Sequence, residues 1–435
     1  MTVLIAGGGI GGLALGLSLH QLGVPFRILE AVAAPKPLGV GINIQPHAVR
    51  ELFDLGLEPL LDKVGLRTRE VAYFSSQGRL IWSEPRGTWA GYRWPQFSVH
   101  RGRLQMALME ELLRRAGPEV LTTGAAVRGW REEGGGVRVA LSAGRSGPPA
   151  GEVRGAVLVG ADGINSTVRA RLYPEEGRAH WAGVIMWRGV SRGPRFLSGR
   201  TMAMAGTKAR KFVCYPIADL EDGGSLINWI CDLAFPPDHD WATQNWNRPG
   251  RPEDVLPAFA DWHFDWLDVP AVIAAAERIF EYPMVDRDPL PRWSFGRVTL
   301  LGDAAHAMYP IGSNGATQAI IDARVLAREI ARHGPGPEAL AAYEAERREK
   351  VNALVLANRA DGPDRVLDLV AERAPEGFER IEEVMSATEL QALADGYKRV
   401  AGFDVAELNA APPIIGPMAR PGEGAGREAG SEGRS

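Results

Sequence analysis

The sequence predicts an α/β protein: a parallel-sheet domain interrupted by an inserted, mostly antiparallel β-sheet and followed by C-terminal helices. Three observations predict it. An apolar run, a glycine cluster and a helix-periodic segment open the chain in β–α–β order over residues 2–30. From about 177 to 284, short aromatic and β-branched runs such as "AGVIMWRGV", "FVCYPIA" and "LINWICDLAF" alternate with Gly, Pro and Asp clusters. Strand-then-helix order returns at Arg297.

Residues 2–6 read as a buried parallel strand. Residues 10–22 read as a helix with Leu13, Leu17 and Leu22 among its apolar positions, and "FRILE" (26–30) as the next strand. Residues 41–62 are expected to form a loop and then a helix, and 103–115 a helix begun just after Arg101. Strands are expected near 136–142 and 153–160, joined by "AGRSGPPAGE" as an exposed turn. Two long helices follow near 316–332 and 338–360, the first stopped by "HGPGP". Residues 363–403 add further helices. The tail from about 411 is rich in Pro, Gly and polar residues and reads as disordered. The expected domains are 1–70, 97–176 and 285–362 for the parallel-sheet unit, and 71–96 with 177–284 for the inserted sheet. Residues 363–410 form C-terminal helices and 411–435 the tail.

The 435 residues, 45% hydrophobic, suit about two domains. A net charge of -4 without a concentrated basic patch argues against nucleic acid as a partner. Cys214 and Cys231 show no metal-type spacing and read as reduced thiols, so a cytoplasmic location is expected. No metal cluster is evident. Residues 2–24 have no basic segment before them and are interrupted by glycines, which argues against a signal peptide or a membrane span.

Gly7-Gly8-Gly9-Ile10-Gly11-Gly12 fits G-x-G-x-x-G between a strand and a helix, which is a dinucleotide-binding arrangement. Gly7 permits the tight turn, Gly9 lets a pyrophosphate approach, and Gly12 lets helix and strand pack closely. Glu30, at the end of the next strand, is placed to accept hydrogen bonds from ribose hydroxyls. Two later stretches are strands that end on an acid: "VLVGADGINSTVR" (157–169) at Asp162, and "RVTLLGDAAHAMYPIGSNGA" (297–316) at Asp303. Together, in this order, they resemble the DG and GD motifs of the class A flavoprotein monooxygenases, the family of para-hydroxybenzoate hydroxylase. The stretches "LGVGINIQP", "HRGRLQM" and "MWRGV" are most similar to its methylphenazine carboxylate hydroxylase branch. The likeness spans residues 1–360.

That resemblance implies a Rossmann-like FAD-binding domain. It also implies a monooxygenase that uses NADPH or NADH and O2 to hydroxylate an aromatic or heteroaromatic substrate through a flavin C(4a)-hydroperoxide. It places Gly7, Gly9, Gly11, Gly12, Glu30 and Ala31 on the nucleotide half of the cofactor. Val40, Gly41, Arg101, Gln105 and Val127 line its path, and Asp162, Asp303, Gly315 and Ala316 hold its ribityl and ring portions. Pro310, Gly312 and Asn314 stand at the flavin edge. His306 reads as structural, and no general base is identifiable. In the inserted sheet, Met186, Trp187, Tyr215, Trp229 and Pro283 are candidate pocket walls. Arg188 could meet a substrate carboxylate, though an ion pair with Asp286 is the favoured reading. A monomer or homodimer is expected. A flavin halogenase or reductase, or a non-catalytic flavin-bound partner protein, are the alternatives.

Overall fold

The protein is described here by a computed structural model covering residues 2–241, 248–360, 362–401 and 404–416. All four residues of the strand Val3–Ala6 are buried, because parallel strands flank it on both sides: Phe26–Glu30 and Val157–Gly160. A strand in that position requires a continuous apolar run. The sheet has six strands, in the order Ser294–Phe295, Val298–Leu300, Val157–Gly160, Val3–Ala6, Phe26–Glu30 and Leu121–Thr123. The helices Ile10–Gln21, Arg101–Ala116 and Gly315–His333 share one apolar core with it. Ala6, Gly160 and Leu300 are register partners. The segments that follow these residues therefore leave the same edge of the sheet, where ligands of open α/β sheets sit.

The second sheet has eight strands, from Pro249–Gly250 at one edge through Ala276–Asp286, His180–Gly193, Ser225–Ala234, Arg210–Asp219, Thr201–Gly206 and Glu70–Phe74 to Leu80–Pro85. Its pairings are antiparallel except for Thr201–Gly206 with Glu70–Phe74. One face packs on the helices Pro252–Phe259 and Val269–Ala274 in a core rich in Trp and Phe. The other face turns toward the parallel-sheet unit.

Three local expectations need correction. Residues 41–62 begin with the strand Gly41–Ile44, paired antiparallel with Gln96–His100, and then form two helices, Pro46–Asp54 and Glu58–Val64. Leu55, Gly56 and Leu57 break what periodicity suggests is one helix; Gly56 takes φ +72°. The expected strand 153–160 is two strands in different sheets. Pro149–Gly155 pairs with Gly136–Ala143, and Val157–Gly160 joins the parallel sheet after Ala156. Half of the presumed exposed turn is thereby drawn into a strand. The chain after 411 also starts with structure: the Ile414 N–H donates to the buried Glu51 carboxylate at 3.1 Å. Residues 417–435 of the expected tail lie outside the described residues.

Candidate active site

The glycine turn shows why each small residue is needed. Gly7 has φ +107°, and a Cβ there would lie 2.5 Å from the Ala161 carbonyl oxygen. A Cβ on Gly12 would lie 2.1 Å from the Gly7 oxygen. Gly9 differs: a Cβ there would meet nothing within 4 Å, because it faces a cavity. The helix that starts at Ile10 has no side-chain cap and no acid in its first turn, so its N–H groups are free to meet an anion. The cavity is about 480 Å³, and Glu30, Ala31, Val40, Arg101, Gln105 and Val127 contribute to its wall. Glu30 accepts from the Gly8 and Val32 N–H groups at 2.7 Å each, and Gln105 Nε2 donates to the Gly8 carbonyl at 2.9 Å.

The two acids after the later strands differ in environment. Asp162 accepts from the Ser166 hydroxyl and, at 2.8 Å, from the Thr167 N–H. Its carboxylate therefore anchors the start of the helix Thr167–Leu172, and the residue borders the cavity from there. Asp303 is exposed, makes no hydrogen bond among the described residues, and borders both this cavity and a second one. The backbone around it is held rigidly from behind. Arg169, fully buried, donates to the carbonyls of Ala304 and Ala305 at 3.2 and 2.9 Å. Asp322 accepts from the Gly302 N–H at 3.2 Å and from Arg347 Nε at 2.8 Å, and pairs with His306. Burial pushes the Asp322 carboxyl up, but His306 and Arg347 outweigh it and hold it below its ordinary value. Beyond the loop, Gly312 and Ser313 both take positive φ, 69° and 59°, and the helix from Gly315 starts without a side-chain cap or an acid.

The second cavity, about 310 Å³, lies between this loop and the second face of the eight-stranded sheet, which also carries the C-terminal helix Arg365–Arg373. Strand register arranges its floor in rows. Met186, Asp232 and Lys211 form one row; Arg188, Ile230, Val213 and Met204 form the next; Asn228 and Tyr215 form a third. Gly41 lies directly over that third row: its N–H donates to Asn228 Oδ1 at 2.6 Å, and a Cβ on it would sit 2.8 Å from the Tyr215 ring. Burial pushes the Tyr215 phenol up to about 12.

Residues 1–221 and 274–358 match the family described as FAD binding domain. The chain belongs to that family. It is 44% identical over 361 residues to phenazine 1,6-dicarboxylic acid hydroxylase PhzS of Lysobacter antibioticus, covering 82% of this chain and 89% of that one. It is 34% identical over 361 residues to the aurachin C monooxygenase/isomerase of Stigmatella aurantiaca, covering 82% and 87%. HpxO of Klebsiella pneumoniae, solved with FAD and uric acid, shares the fold with a TM-score of 0.71 at 23% identity, over 96% of this chain and 98% of that one. The protein is an FAD-dependent aromatic monooxygenase with NAD(P)H as reductant.

The geometry of this monooxygenase fits FAD. Side-chain-free space lies beside Gly9, two helix N-termini are uncapped, and an unpartnered carboxylate stands at Asp303. The structure brings every residue expected on the cofactor path to the two cavities except Gly12, which packs behind the turn; Gly11 borders the second cavity. The pocket-wall expectations divide. Met186 and Tyr215 line the second cavity. Trp187 and Trp229 do not: strand alternation turns them to the opposite face, into the Trp- and Phe-rich core. Pro283 borders the first cavity only. The expected ion pair of Arg188 with Asp286 is also overturned. Asp286 holds Arg359 in a two-pronged bond at 2.7 and 2.8 Å, while Arg188 lines the cavity and donates to the Gly41 carbonyl at 2.9 Å. Two features escaped the sequence reading. They are the role of Arg169 behind the Asp303 loop and the meeting of Lys211, Asp232 and Asp364. The period-two alternation through Met186 and Arg188 carried the signal for the strand residues, once one inward residue is known.

No helix among the described residues is long and apolar enough to cross a membrane, and no group of His, Cys, Asp and Glu among them is arranged to hold a metal.

Proposed function

We propose that this monooxygenase hydroxylates a planar, fused nitrogen-heteroaromatic carboxylic acid of the phenazine class. The shape of the chamber floor carries the reading. The Lys211 and Tyr215 rows are four residues apart on one strand, about 13 Å at the usual rise. Between them stands a row of apolar side chains, Val213, Ile230 and Met204. That length suits three fused rings, and it suits a single benzoate ring poorly. Arg188, beside this apolar strip, supplies a cation for a carboxylate, and its Nε has no partner among the described residues. The 44% likeness to a phenazine dicarboxylic acid hydroxylase points the same way.

In this reading Gly7, Gly9 and the N–H groups that open the first helix hold the FAD pyrophosphate. Glu30 and Ala31 take the adenosine ribose beside Val127. Arg101 and Gln105 flank the phosphates, and Asp162 and Asp303 face the ribityl chain. When bound, FAD accepts hydride from NAD(P)H and activates O2. The chain's own residues do the rest. The N–H groups from Gly312 to Ala316 favour negative charge on the ring edge they face. Pro310, Gly312 and Asn314 shape that edge, and Val40, Gly41 and Ile42 close the opposite side. Met186, Met204 and Ile230 exclude water from the substrate. Cys214 and Cys231 are free and buried, which supports a reducing cytoplasmic setting; a monomer or homodimer is expected there.

The test is to incubate the flavin-loaded enzyme with NADPH or NADH, O2 and phenazine-1-carboxylate, phenazine-1,6-dicarboxylate or hydroxybenzoates, reading product mass. A phenazine product one oxygen heavier, formed in step with reductant oxidation, supports the proposal. Turnover of hydroxybenzoates alone refutes it.

A further inference from the structure

Within the chamber, one group of charges is out of place for an apolar binding site. Lys211 Nζ lies 2.5 Å from Asp364 Oδ2 and 3.2 Å from Asp232 Oδ2. All three residues border the chamber, and Lys211 and Asp232 are almost fully buried, 7% and 4% exposed. Burial alone would depress the Lys211 ammonium, but the two carboxylates outweigh it and keep it charged. Lys211 thus satisfies one oxygen of each acid. The other oxygen of Asp232, Oδ1, is sealed from solvent and has no partner among the described residues. An acceptor buried without a donor is costly, and such atoms are normally paired in a native structure. Asp232 itself borders the chamber, so a ligand seated there is the nearest outside source of a donor.

We propose that Asp232, held by Lys211 and Asp364, is the specificity-determining acceptor for a hydrogen-bond donor on the substrate, a ring hydroxyl or a ring N–H. The charge of the cluster decides the sign. Lys211 and Arg188 balance the two carboxylates, and the unfilled oxygen of Asp232 can only accept, so a donor is welcomed at that oxygen and a third carboxylate is disfavoured against it. The substrate carboxylate goes instead to Arg188, which stands one position diagonal to Asp232: Met186 pairs with Asp232, and Arg188 lies two residues on. Diagonal neighbours on a sheet face are about 7–8 Å apart. The two groups therefore read an acid and a donor at a fixed spacing and orient the ring between them.

This inference rests on the proposed function for its substrate class, so the test separates the two. Binding is measured on the flavin-loaded, oxidised enzyme from the change in flavin absorbance. The ligands are phenazine-1-carboxylates bearing a hydroxyl, its methyl ether or neither, and the same series in benzoates. The wild type should bind the hydroxyl form at least tenfold more tightly than the ether. Asp232→Asn should erase most of that preference, read as the ratio of the hydroxyl and ether affinities within the variant, with flavin content unchanged. A hydroxyl preference that Asp232→Asn leaves intact, or equal binding of hydroxyl and ether forms by the wild type, overturns the proposal. The wild-type comparison stands even where the variant does not fold. A preference seen with benzoates when phenazines are ignored keeps the acceptor role and removes the phenazine class.

Discussion

His306 Nε2 lies 2.6 Å from Asp322 Oδ2, and neither side chain has any solvent exposure. Asp322 also receives Arg347 and the Gly302 N–H. One carboxylate thus joins the end of the strand Val298–Leu300 to the helices Gly315–His333 and Pro337–Arg359. Asp303, which follows Gly302 directly, is positioned from behind by groups that never reach the cavity. This is the physical content of His306 as a structural histidine.

Replacing Asp322 with Asn should leave the buried Arg347 without its counter-charge. Removing one partner of a buried pair costs about 3–5 kcal/mol. The variant is expected to melt at a markedly lower temperature and to lose FAD more readily. A melting temperature within a degree or so of the wild type would refute the strut.

Stability should also fall in acid because of His47. Burial first, then Arg347 and Arg50, lower this histidine to about 3. In the unfolded chain it protonates near its ordinary 6.5. Below that value the unfolded state binds a proton that the native state refuses, so stability declines as pH drops from 6.5 toward 3. The slope from one such group is at most about 1.4 kcal/mol per pH unit. Denaturant midpoints across this range should fall less steeply for His47→Gln than for the wild type; equal slopes would remove His47 from the account.

Gly9 and Gly12 should respond in opposite ways. Gly9→Val adds its side chain to open space, so the flavin-free protein should keep its melting temperature while FAD binding is lost. Gly12→Val drives a side chain into the Gly7 carbonyl, so the protein itself should be destabilised. Retention of flavin by Gly9→Val on purification contradicts the cofactor path.

Asp303→Ala removes a carboxylate that has no other partner. Loss of a hydrogen bond to a charged acceptor costs about 1.5–3 kcal/mol, so FAD should bind roughly ten- to a hundredfold more weakly. Equilibrium dialysis of flavin against the variant checks this, and unchanged affinity counts against the assignment.

Trp229→Phe tests which sheet face forms the chamber. The Trp229 indole N–H donates to Ser191 Oγ at 2.9 Å in the far core. Its loss should cost about 1–3 kcal/mol of stability and leave the KM for the aromatic substrate within about twofold. Met204→Ala, on the chamber side, should instead raise KM. A large rise for Trp229→Phe with no stability loss would reverse the faces.

The local chemistry of the chain by itself determined the strand–glycine–helix opening, the two acids after later strands, and the inserted sheet. Each depends on short-range facts: where a Cβ fits, which runs are apolar, and which residues start a helix. Tertiary structure decided the rest. Trp187 and Met186 are neighbours with equal claims to a pocket, and only the packing of helices on one face sends one to the core and the other to the cavity. Asp162 and Asp303 end similar motifs, yet only the backbone after each decides which carboxylate is taken by a helix start and which stays open. Lys211 and Asp232 face each other on two consecutive strands, and Asp364 joins them from a segment far along the chain. Their meeting is set by strand register and by the turn Gly362–Asp364 that reaches the chamber, and sequence periodicity does not encode such long-range contacts.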